Sequence, residues 1–247
     1  MSALHCYLDD SAAKDAAGVS VGLGGALGSD DAWARVVEEW EPIIRDSTMG
    51  WFHATEWRSQ EHQLGDHWRR LIEIMDRHLI AYVGCVVPGH AVERLKQFKA
   101  EQRTMPVPSD AEPAWVSEWS AFENDPLTVC LSWCLLKISG TTRARGGGKV
   151  SVTFAKTDRL QARADRLEAM RKIIERARDD FELKDFSRSP RTVVQLQVAD
   201  LVAYELTAYQ SGLGVREQYK MLRRKLKTHK ADPPRFANLL RLWGAAP

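Results

Sequence analysis

Apolar and polar positions near the amino terminus predict two paired strands. Residues 3–8 form a mainly apolar run that ends at the acidic pair Asp9 and Asp10, and a glycine-rich apolar run follows at 18–27. Two extended runs this close in sequence are typical of an antiparallel hairpin. Because strand side chains alternate between faces, we expect Asp9 and Asp10 to point to opposite sides of the sheet.

The rest of the chain alternates between helical and extended patterns. Between residues 30 and 44, Trp33, Val36 and Trp40 recur at helical spacing, with Ser29 or Asp30 as the N-cap. Further helices are predicted at 64–78, 92–102, 127–139, 160–178 and 198–209, and strands at 79–87, 149–155 and 192–196. Strands interleaved with helices after a hairpin predict an α/β fold with a mixed β-sheet flanked by helices.

The length and composition favour a single main domain. A chain of 247 residues with 44% hydrophobic and 28% charged residues is ordinary for a globular protein, and no Pro/Gly/Ser-rich linker divides it. We expect a domain over 1–211, with a Trp- and Pro-rich insertion at about 103–122. A basic, helical extension is expected over 212–247.

The distribution of charge is more informative than its sum. A net charge of +2 does not by itself indicate nucleic acid, but basic residues gather in the last third of the chain, Arg223 and Arg224 among them. Such a segment can hold a phosphate backbone, and a solvated helix face explains it about as well. Arg223 and Arg224 are therefore candidate substrate-binding residues.

Cysteine usage and hydropathy indicate a compartment. The four cysteines, Cys6, Cys85, Cys130 and Cys134, lie in apolar stretches, and no signal peptide precedes them. Reduced, buried thiols in the cytoplasm are the simplest interpretation. The longest apolar run, at 79–87, falls short of the roughly 20 residues that cross a bilayer, so no membrane association is expected.

Two acids stand in unusual surroundings. Asp9 ends a hydrophobic strand, at a sheet margin where α/β folds often bind ligands, although Asp9 and Asp10 also suit a turn. Asp200 lies on a predicted helix among apolar residues, where an unpaired carboxylate is costly unless a metal or cation compensates it. Gln197 lies on the same helical face, so both side chains would orient one ligand and Gln197 is a candidate substrate-binding residue. The small Ala199 and Ala203 would let this helix approach the sheet closely.

Three strings carry a family resemblance. YLDDS at 7–11, FHATE at 52–56 and QVADLVAYEL at 197–206 resemble the domain-of-unknown-function 3800 family of bacterial and phage proteins, over roughly residues 3–210. Asp10 stands where the family usually has Glu, and Ala12 where it usually has Gly. The resemblance implies a ribonuclease H-like fold with helical insertions, and places Asp9 and Asp200 in a divalent-metal site.

A third acid is harder to assign. Family members often have an acid close to Ala155, whereas this chain reads FAKTD there. Asp158 would reach the site if the strand ends early, and it suits equally the N-cap of the next helix. Glu56 is the better third carboxylate, and His53 is a proton shuttle, a substrate contact or a structural hydrogen-bonding residue.

These observations favour a metal-dependent nuclease that hydrolyses phosphodiester bonds of DNA or RNA with Mg²⁺ or Mn²⁺, the hard cations that carboxylates prefer. The alternative is a non-catalytic nucleic-acid- or protein-binding module that keeps the fold, and Ala155 is its main support. The nine tryptophans, Trp51 among them, suit stacking on bases as well as core packing.

Overall fold

The computed structural model describes residues 3–15, 18–92, 126–146, 148–155, 181–188 and 193–230. The predicted helix at 160–178, the insertion at 103–122, Asp158 and nearly all of the predicted helix at 92–102 lie outside these ranges.

The described residues form alternating strands and helices. The strands are β1 (Leu4–Asp15), β2 (Gly18–Ser29), β3 (Ala81–Val87), β4 (Val150–Ala155), β5 (Phe181–Arg188) and β6 (Leu226–Lys230). The helices are α1 (Asp30–Asp46), α2 (Ala54–Ser59), α3 (Glu61–His78), α4 (Pro126–Arg143), α5 (Val194–Gln210) and α6 (Glu217–Leu222). Ser29 is the N-cap of α1, as predicted, and its hydroxyl accepts a hydrogen bond from the Ala32 N–H at 3.2 Å.

The strands form one mixed sheet in the order β5-β4-β1-β2-β3-β6. β2 is antiparallel to both β1 and β3, whereas β1, β4 and β5 run parallel to one another and β3 runs parallel to β6. Five strands therefore point the same way. The predicted hairpin and the α/β class with a mixed sheet flanked by helices are confirmed.

The chain leaves β1 and β4 in opposite directions across the sheet. After β1 it turns to β2 on one side, and β5 pairs with β4 on the other. The point between β1 and β4, at the carboxyl end of β4, is therefore a topological switch point, where open α/β sheets bind ligands. β4 pairs with β1 as far as Phe154, opposite Leu8, and ends one residue later, so the switch point is level with Asp9. Asp9 was expected to end its strand, but β1 continues in the hairpin to Asp15.

Apolar layers cover both faces of the sheet. On one face α4 packs over β2 and β3, with Cys6, Leu8 and Cys134 in its core. On the other face lie α5, α1 and α3, whose core includes Trp40 and Trp68. The cysteines predicted to be reduced and buried are buried, and none forms a disulfide among the described residues. Every residue of β3 is buried, in agreement with a strand covered on both faces.

Glycines on β2 and β3 let α5 lie directly on the sheet. A Cβ atom added to Gly24 would be 2.6 Å from the Cα atom of Ala203, and one added to Gly84 would be 2.2 Å from a methyl group of Leu206. The Leu206 methyl group belongs to a flexible side chain that can turn away, whereas the Ala203 backbone cannot move aside, so the close approach requires glycine at position 24. It also brings the middle of α5 over β1.

Two predictions are wrong in part. The segment 192–196 was expected to be a strand, but α5 begins at Val194. The extension after 212 was expected to be helical; α6 lies within it, but Leu226–Lys230 is the strand β6, and residues 231–247 lie outside the described ranges. Hydrogen bonds to β3 stabilise β6 there, a tertiary contact that local propensity does not encode. Within the described ranges, no helix is long and apolar enough to cross a membrane.

Candidate functional site

Asp9 lies in the middle of β1, on the face that α5 covers. It is directly opposite Gly24, and facing residues of antiparallel strands point to the same side of the sheet. The side chain is 4% exposed, and its Oδ1 accepts a hydrogen bond from the Asp10 N–H at 2.8 Å. Asp10 is only partly buried and, by strand alternation, points to the opposite face.

Asp200 comes to the same place from α5. Its Oδ2 accepts a hydrogen bond from the backbone N–H of Ala54 at 2.7 Å, and the residue is 8% exposed. Ala54 is the first residue of α2, whose N-cap residue His53 makes no side-chain capping bond. Asp200 therefore supplies the acceptor that the start of α2 needs. This hydrogen bond also holds residues 52–56, which carry the FHATE motif, beside α5.

The two acids interact electrostatically. Burial raises the pKa of Asp9 well above its usual value, and the negative charges of Asp200 and Asp10 raise it further, against a smaller opposing effect of the Asp10 N–H. Burial likewise raises the pKa of Asp200 from 3.8 to about 6, although His53 and the Ala54 N–H lower it. Within the described part of the chain, neither carboxylate forms an ion pair with lysine or arginine.

Glu56 and His53 line the more open side of this site. The charges of Glu56 and Asp10 both contribute to the raised pKa of Asp200. Asp9, Glu56 and Asp200 form an acidic cluster, and the charge of Asp10 acts on it from the other side of β1. Oε1 of Glu56 is 3.8 Å from Nδ1 of His53, and the two side chains are 31% and 34% exposed. The cluster thus has a buried floor of two carboxylates and a half-exposed wall.

Trp51 completes that wall. Its indole N–H donates a hydrogen bond to Oε2 of Glu56 at 2.7 Å, and its carbonyl oxygen accepts one from the indole N–H of Trp57, also at 2.7 Å. Trp57 is fully buried, whereas Trp51 is 36% exposed. Hydrogen bonds to both its side chain and its backbone therefore hold Trp51 beside Glu56. We call the half-exposed side formed by His53, Glu56 and Trp51 the entrance.

Gln197 has a definite structural contact. Its Oε1 accepts a hydrogen bond from the buried indole N–H of Trp40 at 2.8 Å, which joins α5 to α1. Gln197 is one turn before Asp200 and is itself 5% exposed. It therefore fixes the position of the helix that carries Asp200.

The structure does not bring Arg223 and Arg224 to the acidic cluster. Both side chains are exposed in the turn before β6. Asp9 is level with Gly24, Gly84 and Thr228 across the sheet, so β6 is three strand spacings from β1, about 14 Å. Arg223 and Arg224 precede Thr228 and lie toward the opposite edge of the sheet.

Sequence reasoning missed Glu205 on α5. This carboxylate is 1% exposed, and its Oε2 lies 3.1 Å from Arg216, within ion-pair distance but without hydrogen-bond alignment. Burial raises the pKa of Glu205 to about 7, while Arg216 and Arg58 lower it. The signal was present, because Glu205 stands among apolar residues just as Asp200 does.

The cluster offers two buried carboxylates to a cation. Among the described residues, no group of three or more His, Cys, Asp or Glu side chains is arranged to hold a metal ion. Two carboxylates still fit Mg²⁺, which proteins usually bind through one or two carboxylates, with water and substrate phosphate as the remaining ligands. Comparisons with protein-family models and with curated proteins give no match.

Proposed function

We propose that this protein is a divalent-metal-dependent nuclease that hydrolyses phosphodiester bonds of DNA or RNA. One observation carries the proposal: Asp9 and Asp200, far apart in the sequence, are both buried with raised pKa values, and neither pairs with a lysine or arginine among the residues that the structure describes. Two buried carboxylates that repel each other are costly, and a divalent cation between them would reverse that cost.

A purely structural explanation accounts for less. Capping of α2 explains one oxygen of Asp200, the one that accepts the Ala54 N–H. It does not explain why Asp9 is buried where the negative charge of Asp200 raises its pKa further. An asparagine at either position would accept the same backbone hydrogen bonds without that repulsion.

The chemistry suits Mg²⁺ or Mn²⁺. Carboxylate oxygens are hard donors, and such an ion, when bound, activates water and stabilises charge on a phosphate. Asp9 and Asp200 would hold it, and Glu56 on the half-exposed wall is the third described candidate; Asp158 stays a candidate outside the described ranges. His53, 3.8 Å from Glu56, is placed to accept or donate a proton at the entrance.

The architecture supports the same proposal. A mixed sheet with a hairpin at its centre, and with an acid on its first strand at the switch point, fits the ribonuclease H-like fold and the domain-of-unknown-function 3800 family that the sequence motifs resemble. The site lies where that architecture binds ligands.

Ala155 favours a second candidate, a non-catalytic binding module. It follows Phe154, the partner of Leu8, so it comes level with Asp9 on the neighbouring strand. It is fully buried and offers no oxygen from its side chain where a third acid was expected. Absence of carboxylate-dependent metal binding, together with absence of cleavage, would favour this candidate.

The test compares cleavage by the full chain with that of two charge-neutral variants. Purified protein is incubated with single-stranded DNA, duplex DNA and RNA in Mn²⁺, in Mg²⁺ and in EDTA. We expect metal-dependent cleavage that Asp9→Asn and Asp200→Asn each reduce at least about 100-fold. Asp66→Asn is the matched control, because the Asp66 side chain is 86% exposed on α3.

Three outcomes separate the candidates. Equal activity in all variants, or activity in EDTA, would exclude the proposed site. Calorimetric binding of Mn²⁺ that needs Asp9 and Asp200 would support the metal site, and cleavage of no substrate despite that binding would contradict the nuclease. Absence of both carboxylate-dependent metal binding and cleavage would exclude the nuclease and leave the binding module.

A further inference from the structure

The indole of Trp51 is partly exposed to solvent and is bonded to Glu56 of the acidic cluster. It is 36% exposed, whereas the tryptophans that neighbour it in the fold, Trp40, Trp57 and Trp68, are fully buried. A large aromatic surface in water costs free energy that burial would recover. A partly exposed indole that is bonded to Glu56, close to the buried Asp200, is a suitable contact for a planar ligand.

The orientation of the ring is fixed. The N–H edge of the indole is bonded to Glu56, a member of the acidic cluster, and the backbone carbonyl is bonded to the buried Trp57. Gly50, with a φ of +71°, turns the chain just before it. Because the indole N–H and the backbone carbonyl of Trp51 are both hydrogen-bonded, little conformational entropy is lost when a ligand stacks on the ring.

We propose that Trp51 stacks on an unpaired base and so makes single-stranded nucleic acid the preferred ligand of this site. The inference rests on the proposed function. A base within a duplex already has neighbours on both faces, whereas an unpaired base can stack on an indole whatever its sequence. The floor acids, Asp9 and Asp200, are only 4% and 8% exposed, which favours a flexible single strand over a rigid duplex.

The experiment measures binding of a fluorescein-labelled oligonucleotide of about 12 nucleotides by anisotropy, with Ca²⁺ in place of Mg²⁺ to slow cleavage. Three probes are compared: the single strand, the same strand with abasic positions, and a hairpin duplex. The proteins are the wild type, Trp51→Leu, Trp51→Phe and Trp133→Leu. Trp133 is the control, since it lies on α4, across the sheet.

We expect Trp51→Leu to bind the intact single strand about fivefold to 150-fold more weakly than the wild type. Trp51→Phe keeps a ring that can stack but loses the bond to Glu56, so its binding should fall between that of the wild type and that of Trp51→Leu. Removing the bases from the probe should weaken the wild type as much as Trp51→Leu does, and should weaken Trp51→Leu no further. Binding of the hairpin should differ little among all four proteins.

Equal binding of the single strand by the wild type and Trp51→Leu would overturn the inference. So would an equal loss on intact and abasic probes, because the residue would then act on the fold and not on the base. Circular dichroism and thermal melting check that both variants fold. If the wild type cleaves nucleic acid but Trp51→Leu loses no base-dependent binding affinity, only the stacking inference fails. If Trp51 contributes base-dependent binding but the protein cleaves nothing, only the proposed function fails.

Discussion

Replacing Asp200 with asparagine should make the metal-free protein more stable. The pKa of this carboxyl is 3.8 in the absence of the fold and about 6 in it. Each pH unit of that difference corresponds to about 1.4 kcal/mol, so carrying the charge at neutral pH costs the folded state about 3 kcal/mol. Asparagine carries no charge, and its oxygen can still accept the Ala54 N–H.

The sign follows from linkage. Because the pKa is higher in the folded protein, this group contributes stability that is fully present below pH 3.8 and is lost as the pH rises through about 6. The advantage of Asp200→Asn should therefore be small near pH 4 and full above pH 7. The new amide N–H groups need partners of their own, so a net gain of about 1–3 kcal/mol is expected.

Urea unfolding in EDTA at about pH 4.5 and about pH 8 measures this difference. Mn²⁺ should then reverse the order, because a ligand at 100 times its Kd stabilises the wild type by about 2.7 kcal/mol and has no complete site in the variant. Asp66→Asn, at an exposed position, should stay within about 0.5 kcal/mol of wild type throughout. If Asp200→Asn is the less stable protein at pH 8 in EDTA, the capping bond outweighs the repulsion and the electrostatic reasoning is refuted.

Two other substitutions test the close packing of α5 and the buried charge of Glu205. Gly24→Ala should destabilise the protein by about 3 kcal/mol or more in thermal melts, since its Cβ would meet the α5 backbone at 2.6 Å. The control, Gly65→Ala, has open space around it on α3 and should stabilise the protein by about 0.5–1 kcal/mol. Equal effects would contradict the close approach of α5. The free energy of unfolding of the wild type should fall as the pH rises from 4.5 through about 7, because the Glu205 carboxyl becomes charged while buried, and Glu205→Gln should remove this fall. If urea unfolding gives the same pH dependence for both proteins, Glu205 carries no costly buried charge.

Local patterns predicted most of the described elements. The hairpin, α1 with its Ser29 cap, the buried strand β3 and the apolar helix α4 all follow from periodicity within their own residues. β6 and the start of α5 do not. The strand β6 depends on hydrogen bonds to β3. The first residues of α5 were predicted to be extended, but they are helical in the folded protein.

The candidate site divides in the same way. The sequence by itself determined which residues are costly to bury: Asp9 at the end of an apolar run and Asp200 within an apolar helix, with Glu205 equally visible though overlooked. It also placed Ala203 where a close helix contact needs a small residue. These are local properties, because a side chain's polarity and its neighbours in the chain are written in the sequence.

Only the tertiary structure decided what those residues meet. The glycines of β2 and β3 let α5 settle over β1, which brings Asp200 to Asp9 and to the start of α2, while Gln197 is bonded to Trp40 and Arg223 and Arg224 lie toward another edge. Trp51 acquires its place at the entrance only through Glu56 and Trp57. Distance in space depends on how the helices cross the sheet, and that crossing is a property of the packed whole.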